Sequence, residues 1–258
     1  MTKPSGEAVL TERKDGVLVI TLNRPDRRNA VNLPVAQGIA DALDELDADR
    51  ALQVGVLTGA GGTFCAGMDL VAFLGGERPR TPGRGFAGIV ERPSAKPLIA
   101  AVEGHAVAGG FEIALACDLI VASGTAIFGL PEVKRGLIAG GGGLLRLSDR
   151  VSYSTAMEWA LTGEFVDAAT AHAAGLLNRL SVPGEALEDA LGLAQQIASN
   201  APLAIEATKR VISAAAHLPL EEGFAAQRNV VERVRASADA KEGAAAFRER
   251  RAPRWTAS

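Results

Sequence analysis

The sequence predicts an α/β fold, because apolar strand-like runs alternate with helical patterns over residues 1–200. Runs such as 54–58 and 98–102 are almost entirely apolar, which is typical of strands buried on both faces of a sheet. From residue 201 onward only helical patterns remain. We therefore expect an α/β core over 1–200 and a helical C-terminal segment over 201–258.

Turn and cap residues predict the first elements. The tripeptide Lys14-Asp15-Gly16 separates the β-rich runs 8–13 and 17–23, and Asp-Gly at such a position indicates a hairpin. Asn32 is suited to cap a helix that continues through Asp47, with apolar residues on one stripe.

The later elements continue the alternation. Residues 111–119 (FEIALACDL) are apolar almost all round, which indicates a buried helix, and residues 126–130 form a short β-like run. Asp239 and Glu242 match a capping box, which predicts that Asp239 caps the last helix. Further predicted elements are a strand at 176–182 and helices at 152–161, 167–174, 185–199, 202–216, 220–236 and 239–251.

Residues 75–85 (GGERPRTPGRG) are rich in Gly, Arg and Pro. This composition predicts a mobile loop without a packed element. Because long loops in compact domains are often lids over a site, we expect this loop to shape one end of the substrate pocket.

Charge and composition narrow the function classes. The net charge of −3 does not favour a nucleic-acid partner. No apolar run reaches the ~18 residues of a spanning helix, and no apolar signal segment opens the chain, so we expect a cytoplasmic protein without a membrane partner. Cys65 and Cys117 lie in apolar surroundings, which favours buried, reduced thiols over a disulfide or a metal pair.

Two glutamates are candidates for acid–base chemistry. Glu112 follows Gly109-Gly110 in the first turn of a predicted helix, where the helix dipole favours a carboxylate. Glu132 follows a proline and also lies among apolar and glycine residues. Desolvation in such settings can keep one acid protonated near neutral pH while its partner stays ionised.

Two glycine-rich turns precede predicted helices, at residues 59–70 and 108–110. The first lacks both the Lys-Ser/Thr of a P-loop and the spacing of a dinucleotide fingerprint, so a nucleotide cradle is excluded. One backbone N–H from each turn could form an oxyanion hole around a carbonyl oxygen. The alternative is that both turns serve only packing.

Other catalytic arrangements find no support in the sequence. There is no GxSxG elbow, and the three histidines are isolated, without the HExxH spacing of a zinc site.

Several runs together resemble the enoyl-CoA hydratase/isomerase (crotonase) superfamily, and the similarity covers nearly the whole chain. They are GTFCAGMDL, KPLIAAVEGHAVAGGFEIALACDLIVAS, FGLPEVKRGLIAGGGG, ALTGEFVDAATAHAAGLLNRL, NAPLAIEATKR and EGAAAFRERRAPRW. The resemblance implies a crotonase-like spiral of repeated ββα units over 1–200 that binds coenzyme A and contains the active site. It also implies that 201–258 serves oligomerisation, in homotrimers that often pair into hexamers.

The resemblance also assigns site residues. The N–H groups of Met68 and Gly109 match the oxyanion hole, and Glu112 and Glu132 match the two catalytic glutamates of the hydratases. Other matches to the CoA-binding backbone, which also includes Met68 and Gly109, are Ala66, Asp69 and Leu70, and Arg27 or Arg28 could meet the CoA phosphates.

The implied activity is a hydro-lyase that adds water across the 2,3-double bond of an enoyl-CoA, with a role in fatty-acid metabolism. Glu112 is expected to be the base and Glu132 the proton donor, with no cofactor because coenzyme A is part of the substrate. The alternatives are a carnitinyl-CoA dehydratase, an enoyl-CoA isomerase or a non-catalytic acyl-CoA binder. Phe111 and the run 136–147 (GLIAGGGGLLRL) depart from the common hydratase pattern, and both are expected near the acyl pocket.

Overall fold

The computed structural model describes residues 7–215 and 218–258, and these form a mixed α/β fold. Their strands are β1 (Val9–Lys14), β2 (Val17–Leu22), β3 (Val54–Gly59), β4 (Arg80–Thr81), β5 (Gly85–Phe86), β6 (Leu98–Val102), β7 (His105–Val107), β8 (Leu119–Ser123), β9 (Ile127–Gly129), β10 (Val166–Asp167) and β11 (Arg179–Ser181). Their helices are α1 (Leu33–Ala48), α2 (Leu70–Leu74), α3 (Gly109–Ala116), α4 (Gly143–Arg150), α5 (Tyr153–Thr162), α6 (Ala168–Ala173), α7 (Ala186–Ala198), α8 (Pro202–Ala215), α9 (Leu220–Arg235) and α10 (Ala238–Glu249).

The strands form a large and a small sheet beside the β4–β5 pair. The large sheet has the order β1-β2-β3-β6-β8-β11, and every pair in it is parallel except the β1–β2 hairpin. The small sheet has the order β10-β9-β7. In the units β6-β7-α3 and β8-β9-α4, the first strand joins the large sheet and the second joins the small one. This repetition of ββα units confirms the predicted fold class.

The large sheet is covered on both faces, which explains its uninterrupted apolar strands. Every residue of β6 is buried. On one face Val56, Ile99 and Val121 pack against Ala190 and Ala194 of α7. The other face packs against α1 and α3 in the larger core cluster. The site described below lies where α3 begins, at the end of β7.

Most predicted boundaries agree with the structure to within a few residues. The β1–β2 hairpin turns at Asp15 and Gly16, and the Asn32 side chain caps α1 by accepting a hydrogen bond from Val35 N at 3.2 Å. The helix predicted over 202–216 is α8, and Ala216 lies outside the described residues.

The prediction that residues 75–85 contain no packed element is wrong. The segment pairs β4 with β5, and the Arg84 side chain is only 2 % exposed. Its guanidinium donates to Asp44 Oδ1 of α1 at 2.6 Å and to Arg92 O at 3.1 Å. A buried arginine is tolerated when it is paired in this way, and its charged partner Asp44 lies 40 residues away in the chain.

The predicted cap of the last helix is also wrong. Ser237 caps α10 by accepting a hydrogen bond from Ala240 N at 3.0 Å. Asp239 is instead buried and accepts hydrogen bonds from Thr256 N and Ala257 N at 2.7 and 3.1 Å. Because Ser and Asp are both good caps, the contact with the final segment decided between them.

Across the described ranges, no helix has the length and apolar character needed to cross a membrane.

Candidate functional site

The two glycine-rich turns lie against each other. Cys65 N donates to His105 O at 2.9 Å, and Val107 N donates to Cys65 O at 3.1 Å, so the first turn runs beside β7. A Cβ on Gly110 would lie 2.1 Å from Cys65 O. A glycine at position 110 is therefore required for the start of α3 to approach the first turn this closely.

Two main-chain N–H groups are left unpaired where the turns meet. A Cβ on Gly67 would lie 3.1 Å from Gly109 N, so the residue that precedes Met68 lies directly against Gly109. Within the described part of the chain, neither Met68 N nor Gly109 N donates a hydrogen bond. Ala108, with φ of 50°, is a non-glycine residue in a conformation usually left to glycine. Such strain is common where a backbone must present a functional group.

Glu112 is held by a turn that follows it by about 30 residues in the chain. It lies in the first turn of α3 and is 4 % exposed. Its Oε1 accepts hydrogen bonds from Gly141 N at 2.7 Å and Gly143 N at 3.0 Å. Residues 141–143 are called the glycine turn below.

The expectation that the helix dipole sets the charge of Glu112 needs correction. Burial is the largest influence and raises the pKa of Glu112, and the negative charge of Glu132 raises it further. The two N–H groups of the glycine turn and the positive charge of Arg146 oppose this rise. Ionisation of Glu112 is therefore favoured mainly by groups from outside its own helix.

Glu132 lies in a short 3₁₀ turn, Pro131–Arg135, and has a different environment. Burial raises the pKa of Glu132, against the effects of its own N–H and of Arg135. Its Oε2 is buried and has no hydrogen-bond partner among the described residues. An unpaired buried oxygen favours the protonated acid, so Glu132 is suited to carry a proton that Glu112 lacks.

A cavity of about 250 Å³ opens beside Glu132. Tyr153, 75 % exposed, and Ser148 also border it, and the rest of its lining is apolar, including Leu130, Val133, Ile138, Leu144, Leu147 and Met157. A larger cavity of about 890 Å³, between the end of α1 and helices α8 and α9, is lined by none of the predicted site residues.

The two departures from the hydratase pattern lie in different places. Ile138, Ala139 and Leu144, all within the run 136–147, line the cavity beside Glu132. Phe111 does not line the cavity: it is 1 % exposed and packs on Phe128, with ring centroids 5.5 Å apart. The position of Phe111 on α3 directs its side chain into the core and away from this cavity.

The model of the enoyl-CoA hydratase/isomerase family matches residues 12–258. The chain belongs to this family. It is 40% identical to the protein named enoyl-CoA hydratase EchA19 of Mycobacterium tuberculosis, over 98% of each chain. It is also 40% identical to a carnitinyl-CoA dehydratase of Proteus mirabilis, over 94% of this chain and 95% of that one.

Solved structures of family members agree with this fold. An enoyl-CoA hydratase from Mycobacterium tuberculosis superposes with a TM-score of 0.96 and 55% identity, covering 98% of this chain and 100% of that one. Enoyl-CoA hydratase EchA1 from Mycobacterium marinum gives a TM-score of 0.96 and 56% identity, with the same coverage.

The segment that the family resemblance assigns to CoA lies beside a basic stretch. Asp69 caps α2 and pairs with Arg24 at 3.0 Å, and Ala66 N donates to Arg28 O at 3.0 Å. Leu70 is 54 % exposed, and the side chains of Arg27 and Arg28 are also exposed.

Several residues of the site were not found by reasoning from the sequence. The run of glycines after Glu132 was a signal, but nothing in it indicated that Gly141 and Gly143 hold Glu112. Asn29 is fully buried, and its amide donates to Ala60 O and Thr63 O at 2.9 and 2.7 Å, fixing the first glycine-rich turn. Arg146 lies in the run 136–147 that departs from the hydratase pattern, but nothing in that run indicated a contact with the turn that holds Glu112.

Proposed function

We propose that this member of the enoyl-CoA hydratase/isomerase family is an enoyl-CoA hydratase. The observation that carries the proposal is the pair of unpaired N–H groups, Met68 and Gly109, on touching turns at the start of the helix that carries buried Glu112, with half-buried Glu132 close enough to raise the pKa of Glu112. This set matches the needs of water addition to a double bond conjugated with a thioester. The relatives named enoyl-CoA hydratase support the same conclusion.

The two N–H groups would bind the thioester oxygen. Attack of water on C3 moves negative charge onto that oxygen, and donors already aimed at it stabilise the enolate-like transition state. Each such donor contributes roughly 2.7–4 kcal/mol, judged from the cost of losing one. Strain at Ala108 is consistent with a turn that holds its N–H neighbour in a fixed direction.

The two acids would divide the proton transfers. Ionised Glu112, stabilised by the glycine turn, takes a proton from water as the oxygen bonds to C3. Protonated Glu132 gives its proton to C2, so that the product gains one whole water molecule. A proton then moves from Glu112 to Glu132, directly or by exchange with solvent, and restores the starting state.

The remaining assignments extend this proposal. The apolar cavity beside Glu132 would hold the acyl chain, and Ala66, Met68, Asp69, Leu70 and Gly109 would contact coenzyme A by their backbone. Exposed Arg27 and Arg28 have the charge to meet its phosphates. Helices of 201–258 would mediate a homotrimer or hexamer in the cytoplasm, with the enzyme serving fatty-acid metabolism.

Carnitinyl-CoA dehydratase is the second candidate, because relatives carrying that name are about as similar as the hydratases. Its substrate carries a quaternary ammonium group, which proteins bind with aromatic or acidic side chains. Around the cavity as described, Tyr153 is the only aromatic residue and Glu132 the only acidic one. The apolar lining therefore favours an uncharged acyl chain. An isomerase would need only one of the two acids.

The test is an assay of the hydration of crotonyl-CoA and longer 2-enoyl-CoA esters, in which turnover is measured as the loss of absorbance of the conjugated thioester. Glu112→Gln and Glu132→Gln should each lower kcat by about 10²–10⁴-fold. Glu164→Gln is the matched control, because Glu164 is exposed and pairs with Lys134 at 2.7 Å. Absence of turnover with every chain length would refute the proposal. Binding of acyl-CoA without any effect of the two variants on turnover would indicate a non-catalytic binder.

A further inference from the structure

We infer that Arg146 is a positioning residue for Glu112, and that it acts by fixing the glycine turn that holds the Glu112 carboxylate. The inference rests on the proposed function, in which Glu112 is the base. It concerns a residue that makes no hydrogen bond to either catalytic glutamate within the described structure.

The guanidinium of Arg146 bridges two segments. Its Nη1 donates to Gly141 O at 3.3 Å, and its Nη2 donates to Val90 O at 2.6 Å. Gly141 thus accepts from Arg146 through its carbonyl group and donates to Glu112 through its N–H. One residue of the glycine turn links the arginine to the carboxylate.

The glycine turn needs such an anchor. Glycine has the largest backbone freedom of any residue, so a run of glycines loses more entropy than other sequences when it is held in one conformation. A Cβ on Gly142 would lie 2.5 Å from Arg146 Nη1, so the guanidinium packs directly on the turn. The planar fork of arginine can bond to two segments at fixed angles, which an ammonium group cannot reproduce.

The second contact of Arg146 connects the glycine turn with the segment that packs behind the proposed oxyanion hole. Val90 N donates to Phe86 O at 3.4 Å, in the turn that follows β5. The ring of Phe86 packs on Gly109, since a Cβ on Gly109 would lie 2.7 Å from it. Arg146 therefore ties the turn that holds the base to the segment that packs behind the proposed oxyanion hole.

Arg146 also contributes charge. The groups that face the Glu112 carboxylate are Glu132 from the 3₁₀ turn, Arg146 from α4, and the N–H groups of Gly141 and Gly143. The positive charge of Arg146 lowers the pKa of Glu112, while the charge of Glu132 raises it. Without Arg146, the pKa of Glu112 should rise, and a larger fraction of the enzyme would carry a protonated, inactive base.

The experiment compares pH profiles of kcat for Arg146→Met, Arg146→Lys and a matched control, Arg150→Met. Arg150 lies one turn further along α4 and is half-buried like Arg146, but it donates to Leu115 O and Cys117 O, at the far end of α3 from Glu112. For Arg146→Met we expect kcat at neutral pH to fall about 10–100-fold, and the acidic limb of the profile to move to higher pH.

The other two variants separate charge from geometry. Arg146→Lys keeps the charge and loses the fork, so its acidic limb should stay near that of the parent while kcat falls with little change in KM. Arg150→Met should lower the melting temperature without moving the limb. A folded Arg146→Met enzyme with an unmoved limb and parental kcat refutes the inference. If that variant does not fold, a parental kcat in Arg146→Lys refutes it.

A measurement that does not depend on turnover distinguishes failure of this inference from failure of the proposed function. The Glu112 carboxyl can be titrated by infrared or ¹³C NMR spectroscopy, with Glu112→Gln to assign its signal. The inference expects its pKa to be higher in Arg146→Met than in the parent, whichever CoA ester proves to be the substrate. An unchanged titration contradicts the role of Arg146, whereas absent hydration of every enoyl-CoA contradicts only the proposed function.

Discussion

Replacing Gly141 by alanine would place a methyl carbon 2.7 Å from Glu112 Oε2 and 3.0 Å from its Cδ. Gly141 has no positive φ, so its backbone accepts alanine. To reach an ordinary contact of 3.4 Å, the carboxylate must move by roughly 0.7 Å. Because the obstructed atom is the end of a flexible side chain, the fold should survive while the carboxylate leaves its place.

The size of the effect follows from the contacts that would be lost. Moving the carboxylate breaks or lengthens the hydrogen bonds at 2.7 and 3.0 Å to Gly141 N and Gly143 N. A hydrogen bond to a charged group is worth about 1.5–3 kcal/mol, and a base misplaced by about 1 Å can cost about 100-fold in rate. We expect kcat for enoyl-CoA hydration to fall by about 10–100-fold, and the melting temperature to fall as well, because the same hydrogen bonds stabilise the folded state.

Gly140→Ala is the matched control, because a Cβ at position 140 would find its nearest atom, Ile138 O, at 3.9 Å. The same chemical change one residue earlier should leave kcat at the parental value. Parental activity in Gly141→Ala would show that the position of the Glu112 carboxylate does not matter. Equal losses in both variants would point to flexibility of the turn, and the steric argument would fail.

Three further predictions address the fold, the cavity and the buried acid. Gly110→Ala should lower the free energy of unfolding by about 1–3 kcal/mol or more, because its Cβ would meet Cys65 O at 2.1 Å; an unchanged urea midpoint would contradict this. Ala160→Phe would fill the cavity and should reduce kcat/KM about fourfold for each methylene of the acyl chain that it excludes, because burying one methylene is worth about 0.8 kcal/mol. The loss should therefore be larger for octenoyl-CoA than for crotonyl-CoA. Equal losses for the two substrates would show that the acyl chain lies elsewhere. Burial raises the pKa of Glu132, so the folded parent loses stability as pH rises through that raised pKa. Glu132→Gln removes this loss, so the melting temperature of the variant relative to the parent should increase from acidic to mildly alkaline buffer. A difference in melting temperature that does not change with pH would contradict this prediction.

Elements encoded by local patterns were predictable from the sequence. The β1–β2 hairpin follows from Asp15-Gly16, and the start of α1 follows from the cap at Asn32, because turns and caps depend on neighbouring residues. The buried strand β6 follows from its apolar run. The helical segment after residue 200 was predictable for the same reason, whereas the ββα repeat was expected only from the family resemblance.

The candidate site was predictable in part. The sequence indicated which acids and which glycine-rich turns to examine, because carboxyl groups and glycines in apolar surroundings are unusual. The assignment of Glu112 as the base and Glu132 as the proton donor rested only on the position of Glu112 at the start of a predicted helix. In the structure, Glu132 instead differs from Glu112 by its unpaired Oε2. That difference depends on which groups surround each carboxyl after folding.

The sequence by itself determined the order of most strands and helices, the two glycine-rich turns, and the presence of two acids in an apolar setting. Only the tertiary structure decided that Gly141 and Gly143 hold Glu112, that Arg84 is buried against Asp44, and that Phe111 turns into the core. Local periodicity and turn chemistry act between neighbours in the chain. Desolvation and hydrogen-bond pairing act between residues tens of positions apart, so they are fixed only when the elements pack together.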